Sequence, residues 1–157
     1  MGTAWRSAYV VGAVAALAIL SQGQSQKTKE AKEYGYKMAV IAGDYANEDR
    51  NTKLFTTYLL NASEACKIPP RDAADMMQQS WNLLKARGLD VDETYVQAIT
   101  SMYKLASRAN INPKKRWKCS EMWAGYVALR EKGFAPDAAV NGLVMAAKTG
   151  TAFSRIK

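Results

Sequence analysis

The stretch REKGFAPDAAVNGL, from Arg130 to Leu143, has the features of a helix end, a short turn and a second helix start. Gly133 follows a basic last turn, which is typical of a helix C-terminus, and Pro136 and Asp137 suit the first turn of the next helix. A very similar stretch, KARGLDVDETYVQAI, runs from Lys85 to Ile99. The chain therefore repeats one type of helical corner.

Four such corners follow one another at a nearly constant interval. Each contains an apolar residue just before a helix start, and these residues, Ile68, Leu89, Ile111 and Phe134, are 21, 22 and 23 positions apart. One helix and its turn thus recur along the chain, and two such units make a helical hairpin. The spacing fits an α-solenoid of hairpins and an ordinary helical bundle with short loops equally well.

The rest of the chain beyond its amino end shows helical periodicity and no convincing alternation of a strand. Large apolar side chains at helical spacing are predicted to form the core, namely Trp81, Leu84, Met102, Met122 and Met145. The predicted helices are Thr28–Ala46, Thr52–Cys66, Arg71–Arg87, Asp92–Arg108, Lys114–Lys132 and Pro136–Thr149.

The amino end contains an uncharged apolar run, AYVVGAVAALAIL, from Ala8 to Leu20. Thirteen helical residues rise about 20 Å, which is less than a hydrocarbon core of roughly 30 Å. The run becomes a marginal membrane span only when its flanks are included, from Thr3 to Gln22. A retained single-pass anchor is preferred; a cleaved signal and a helix buried in a partner are the alternatives. The predicted anchor residues are Trp5, Tyr9, Val10, Val11, Val14, Leu17, Ile19 and Leu20.

The net charge of +8 is unevenly distributed along the 157 residues. Residues 35–112 carry nine basic and nine acidic side chains, whereas residues 113–132 carry six basic and two acidic ones. Within KKRWKCSEMW, the basic residues Lys114, Lys115, Arg116 and Lys118 are candidate contacts for a protein partner or an anionic surface. A solvated face is the simplest interpretation, and RNA binding beside Trp117 is a further one.

Residue types that support catalysis are scarce. The chain has no histidine, which removes the commonest general base and metal ligand. Its two cysteines, Cys66 and Cys119, are far apart and form no CxxC pair. Two free, buried thiols are preferred, and one disulfide is the alternative. We therefore predict a protein that is not an enzyme and has no cofactor or metal.

The amino-acid sequences of these corners resemble those of a known protein family. LLKARGLDVDETYVQAITSMYKLA, Leu83–Ala106, and LREKGFAPDAAVNGLVMAAKTG, Leu129–Gly150, are similar to the junctions of pentatricopeptide-repeat proteins. The resemblance implies about two degenerate repeats over residues 50–150. Two features depart from the family: Val91 stands where the turn has proline, and the two junctions are 45 residues apart, longer than the usual repeat.

The family recognises RNA bases through pairs of residues, one in the first helix and one in the turn. The matching positions here are Gln97 with Asp92 and Gly142 with Asp137, which are not typical base-recognising pairs. The resemblance therefore implies a helical surface for partners more than base-specific RNA recognition.

These observations predict an all-α fold, with an N-terminal membrane helix followed by a short α-solenoid of helical hairpins. The expected divisions are an anchor at 1–25, a linker and first helix at 26–50, a helical-repeat domain at 51–150 and a basic tail at 151–157. The expected function is that of a non-catalytic, membrane-anchored accessory subunit of a large organellar complex, in contact with other protein subunits and membrane lipid. The mitochondrial inner membrane is preferred over a plastid membrane. A membrane-tethered RNA-binding protein of organellar gene expression and a secreted or envelope helical protein of a bacterium or phage are the alternatives.

Overall fold

The structure, a computed structural model, describes the backbone of residues 7–108 and 118–150 and, within these ranges, the side chains from residue 23 onwards. The described residues form helices and no strand, as the periodicity predicted. Two short 3-10 helices, Tyr45–Asn47 and Leu89–Val91, lie in turns. The α-helices are α1 (Ser7–Ala42), α2 (Glu48–Cys66), α3 (Pro70–Ala86), α4 (Tyr95–Arg108), α5 (Cys119–Glu131) and α6 (Pro136–Thr149).

The six helices pack in chain order. Each helix makes its main contacts with the next helix and with the next but one. Helices α1, α3 and α5 therefore form one layer, and α2, α4 and α6 form a second. The core lies between these two layers.

Local signals explain where the helices begin and end. Pro70 and Pro136 are the first residues of α3 and α6, where a missing N–H removes no helical hydrogen bond. Helix α1 ends before Gly43, whose φ of 69° suits glycine. Helix α4 begins at Tyr95 and not at Asp92, so the predicted start was three residues early.

The start of α5 also differs from the prediction. The predicted helix began at Lys114, but α5 begins at Cys119, and Lys118 precedes it with an extended backbone (φ −70°, ψ 144°). The Glu121 carboxylate accepts a hydrogen bond of 3.1 Å from the Lys118 backbone N–H, which fixes this boundary. Lys114, Lys115 and Arg116 lie outside the described residues.

The predicted membrane-spanning helix is wrong. Among the residues that the structure describes, no helix is long and apolar enough to cross a membrane. The physical reason is that the apolar run is only thirteen residues long. Helix α1 then continues into a charged segment, without a break at the expected boundary between residues 25 and 26. Trp5 lies outside the described residues, and the other predicted anchor residues lie in the first half of α1, namely Tyr9, Val10, Val11, Val14, Leu17, Ile19 and Leu20.

Helices α1 and α2 approach each other closely at a glycine. A Cβ atom placed on Gly35 would lie 2.6 Å from the Thr56 Oγ1 atom and 2.8 Å from the Thr56 backbone nitrogen. Such distances are too short for van der Waals contact, so this helix crossing requires a residue without a side chain.

The two cysteines form a disulfide bond, and the preferred prediction of free thiols is wrong. Cys66 is the last residue of α2 and Cys119 is the first residue of α5, and their Cα atoms are 5.7 Å apart. The fold brings these two helix ends to the same edge.

Candidate functional site

A buried ion pair joins the turn before α4 to α5. The Arg130 Nε atom lies 3.2 Å from the Glu93 Oε2 atom, and both residues are almost fully buried. The Tyr126 hydroxyl donates to Glu93 Oε1, as does the Ser101 hydroxyl at 3.4 Å. Burial, together with the hydrogen bond to Glu93, raises the pKa of the Tyr126 hydroxyl, which stays a neutral donor.

The same arginine also fixes the turn between α5 and α6. Its Nη1 atom donates a 2.6 Å hydrogen bond to the Phe134 carbonyl, while Nη2 has no hydrogen-bond partner among the described residues. An ion pair between Arg87 and Glu131 lies nearby and links α3 to α5. Because solvent does not reach the Glu93 carboxylate, we assign this cluster to structural support of the hairpins.

The described residues offer few groups for chemistry. They contain no group of three or more histidine, cysteine, aspartate or glutamate side chains placed to hold a metal ion. Cys66 and Cys119 are both oxidised, and the buried carboxylate of Glu93 is already paired. That the chain is not an enzyme stays a prediction.

The outer side of the α2, α4 and α6 layer, called here the α2/α4/α6 face, has a tyrosine pair. The rings of Tyr58 and Tyr103 stack with centroids 4.0 Å apart and an interplanar angle of 8°. The Asn61 side-chain amide donates to the Tyr103 hydroxyl at 3.3 Å, and the hydroxyls of Tyr58 and Thr100 share a hydrogen bond of 3.4 Å. These contacts connect α2 to α4 and fix the polar surface between them.

Two cavities lie along the same face. The α2–α4 cavity has a volume of about 410 Å³, and the α4–α6 cavity has a volume of about 320 Å³. Val96 lines both of them and separates one from the other. The α2–α4 cavity is lined by Ala42, Asp44, Asn47, Arg50, Asn51, Leu54, Thr94 and Val96. The α4–α6 cavity is lined by Asp92, Val96, Gln97, Thr100, Ser101, Lys104, Ala135, Pro136 and Asp137.

Of the four positions that match the base-recognising pairs, Asp92, Gln97 and Asp137 line the α4–α6 cavity, and Gly142 does not. Gln97 caps the start of its own helix. Its Oε1 atom accepts a hydrogen bond of 2.8 Å from the Thr94 backbone N–H, and its backbone N–H donates a hydrogen bond of 3.3 Å to Thr94 Oγ1. Asp137 is highly exposed and lies 3.4 Å from the Lys104 ammonium. The Gln97 side chain is therefore already engaged in a hydrogen bond within the protein.

An apolar surface lies on α1, at one end of the stack formed by the described helices. Helix α1 is the first described helix of its layer, and its last turns expose Tyr36, Val40 and Ile41 to 51%, 41% and 50%. Tyr45, in the turn that follows, is 79% exposed. We call these four residues the end surface. Large aromatic and aliphatic side chains are exposed here within a span of ten residues, which is unusual for a surface that stays in water.

Of the predicted contact residues, only Lys118 lies within the described part of the chain. It is exposed and precedes α5, so it lies outside the helix that was predicted to begin at Lys114. The sequence interpretation missed Glu93, Arg130 and Asn51. The first two look like ordinary charged residues at helix ends, and only the Thr94 and Gln97 capping pattern indicates that Glu93 precedes the helix.

Comparison with known proteins gives no relative, since no protein-family model, curated protein or solved structure matches the chain. The class that the described residues define is an all-helical protein. Membership of the pentatricopeptide-repeat family stays a prediction.

Proposed function

We propose that the protein is a non-catalytic accessory subunit of a larger assembly and binds other protein subunits through its helical domain. The end surface is the observation that carries the proposal. Aromatic and branched aliphatic side chains are enriched at the buried centres of protein interfaces, and Tyr36, Val40 and Ile41 are of this type. Burial of these side chains in a partner would remove their apolar area from water.

The architecture supports the same proposal. A stack of hairpins has two open ends, and terminal helices of such stacks need either polar outer faces or a covering partner. Helix α1 has apolar side chains on its exposed side near Ala42 instead of a fully polar surface. An organellar assembly, mitochondrial before plastid, is the preferred setting because the pentatricopeptide-repeat family that the corners resemble is chiefly organellar.

The test is the native size of the protein in its source organism. A tagged chain is extracted under mild conditions and separated by native electrophoresis, and co-migrating proteins are identified. We expect a species much larger than the 17.3 kDa chain. The double variant Val40→Glu and Ile41→Glu should release the chain from this species, whereas Gln79→Glu, at an exposed position of α3, should not. Migration of the wild type as a free chain would contradict the proposal.

A second candidate is a secreted or envelope helical protein, which the disulfide between Cys66 and Cys119 favours. Such bonds are rare where glutathione and thioredoxin keep thiols reduced. Rapid alkylation of thiols in intact cells tests this second candidate, because a secreted or envelope protein keeps the disulfide in place. If both cysteines are alkylated without prior reduction, the second candidate fails.

A further inference from the structure

The end surface continues along α1 as one exposed row of side chains. Its members follow one another at steps of four, three and four residues, namely Lys29, Glu33, Tyr36 and Val40. Steps of three and four residues keep side chains on one face of an α-helix, so these exposed side chains are neighbours. The row is about 17 Å long, which is the length of three helical turns.

The row is positively charged at one end. The Lys37 ammonium lies 2.6 Å from the Glu33 carboxylate, so these two charges compensate each other within α1. Lys29 and Lys32 are exposed one helical turn apart, and neither forms an ion pair among the described residues. The exposed side of α1 therefore has two uncompensated lysines at one end and the apolar end surface at the other.

This combination of charge and apolar area selects the occupant. A second copy of the chain would bring the same lysines and a further net charge of +8, which repels the first copy. A nucleic-acid backbone would pair with the lysines but would leave Tyr36, Val40 and Ile41 in water. A protein element with acidic side chains at one end and apolar side chains at the other is complementary to both parts of the surface.

The element that fits beside α1 is a helix. The backbone groups of α1 are hydrogen-bonded within the helix, so an extended strand would find no backbone partners on this surface. A second helix satisfies its own backbone and places its side chains between those of α1. Helix α3 packs along α1 within the same layer, and a partner helix on the exposed side would extend that layer.

We propose that the exposed side of α1 binds an acidic amphipathic helix of a partner subunit, with its carboxylates at Lys29 and Lys32 and its apolar side chains on the end surface. The inference rests on the proposed function and names the class of partner that the end surface takes. Burial of the apolar side chains supplies most of the affinity. The two lysines fix the direction in which the partner helix lies and exclude helices of the opposite charge.

The test uses the purified full chain and a fluorescein-labelled peptide of three Glu-Leu-Ala-Ala-Leu-Glu-Ala heptads, with binding followed by fluorescence anisotropy. We expect binding that is about tenfold tighter than that of the matched peptide with lysine in place of glutamate. The double variant Lys29→Glu and Lys32→Glu should lose about tenfold in affinity for the glutamate peptide and gain affinity for the lysine peptide. A gain of affinity requires a folded chain, so unfolding of the variant cannot produce this result.

The matched control is the double variant Lys53→Glu and Lys85→Glu. It changes the net charge by the same amount at exposed positions of α2 and α3, and it should keep the preference for the glutamate peptide. The inference is overturned if the glutamate peptide does not bind the wild type at about 1 mM. It is equally overturned if the control variant loses the preference as the first variant does, or if single-stranded oligouridine binds at the two lysines in place of the peptide.

Native electrophoresis separates failure of this inference from failure of the proposed function. In the source organism, the double variant Lys29→Glu and Lys32→Glu should leave the large species that contains the wild type, and the control variant should remain in it. If the lysine variant also remains, the acidic partner helix is excluded while the role as a subunit stands. If the wild type itself migrates as a free chain, the proposed function fails.

Discussion

The Arg130 guanidinium and the Glu93 carboxylate form an ion pair of 3.2 Å inside the core, 37 residues apart in sequence. Glu93 belongs to the turn before α4 and Arg130 to the last turn of α5, so the pair connects the second and third hairpins. Tyr126 and Ser101 provide further hydrogen bonds to the same carboxylate. The stacking of the hairpins thus depends on a buried polar contact as well as on apolar packing.

Glu93→Ala should strongly destabilise the fold. The substitution leaves the Arg130 charge buried without its partner, and breaking a buried pair in this way typically destabilises a protein by about 3–5 kcal/mol. The free energy of unfolding in urea measures the loss. Glu64→Ala, which removes an exposed carboxylate from α2, is the control and should change stability by less than about 0.5 kcal/mol. A loss below about 1 kcal/mol for Glu93→Ala would contradict the structural role of the pair.

Stability should decrease above pH 10 in a way that depends on Tyr95. Burial raises the pKa of this hydroxyl above the ordinary value of 10.0, so the folded state retains a proton that the unfolded state loses. The resulting stabilisation is complete below pH 10 and is lost as the pH rises further. In Tyr95→Phe the fall in unfolding free energy with pH should be less steep, by up to about 1.4 kcal/mol per pH unit. Equal slopes for the two proteins would contradict the prediction.

Loss of the disulfide should lower stability by about 2–4 kcal/mol, since the bond closes a long loop in the unfolded chain. The cysteines it joins are 53 positions apart. The double variant Cys66→Ala and Cys119→Ala should unfold at lower urea concentration than the oxidised wild type. Dithiothreitol should shift the wild type to the same midpoint and leave the variant unchanged. Two titratable thiols in the native wild type purified without reductant would contradict this prediction.

Two glycine substitutions should act in opposite directions. Gly35→Ala forces a Cβ atom into Thr56 and should destabilise the protein by about 1–3 kcal/mol. Gly142→Ala places a Cβ atom 3.9 Å from Leu129 Cδ1, an ordinary contact, and should stabilise α6 by about 0.5–1 kcal/mol. Thermal unfolding of both variants under one condition tests the close approach of α1 and α2. Unchanged or increased stability of Gly35→Ala would show that the helix crossing is looser than described.

The helical class and most helix boundaries follow from local signals. Pro70, Pro136, Gly88 and Gly133 act through backbone geometry that depends on neighbouring residues alone, and the structure places each at a helix end. The Thr94 pattern is equally local and would have corrected the start of α4. Apolar periodicity likewise predicted burial of Leu84, Met102 and Met122, although Met145 is 58% exposed because it lies on the open side of α6.

Long-range relationships could not be predicted from the sequence. Cys66 and Cys119 lie next to each other because α2 ends and α5 begins at the same edge of the stack, which the spacing of two cysteines does not indicate. Glu93 and Arg130 resemble surface charges until the layers are assembled around them. The apolar amino end led to an incorrect membrane span, since apolar composition alone does not supply the length that a bilayer requires.

Photo-crosslinking from the end surface tests partner binding most directly. A photoreactive amino acid is placed at Val40 in the tagged full chain, with the same amino acid at Gln79 as the matched control, and cells of the source organism are illuminated. We predict that position 40 gives a crosslink to one defined protein and that position 79 does not. Absence of any protein crosslink at position 40, in a chain that also migrates at 17.3 kDa, would contradict the proposed role as a subunit.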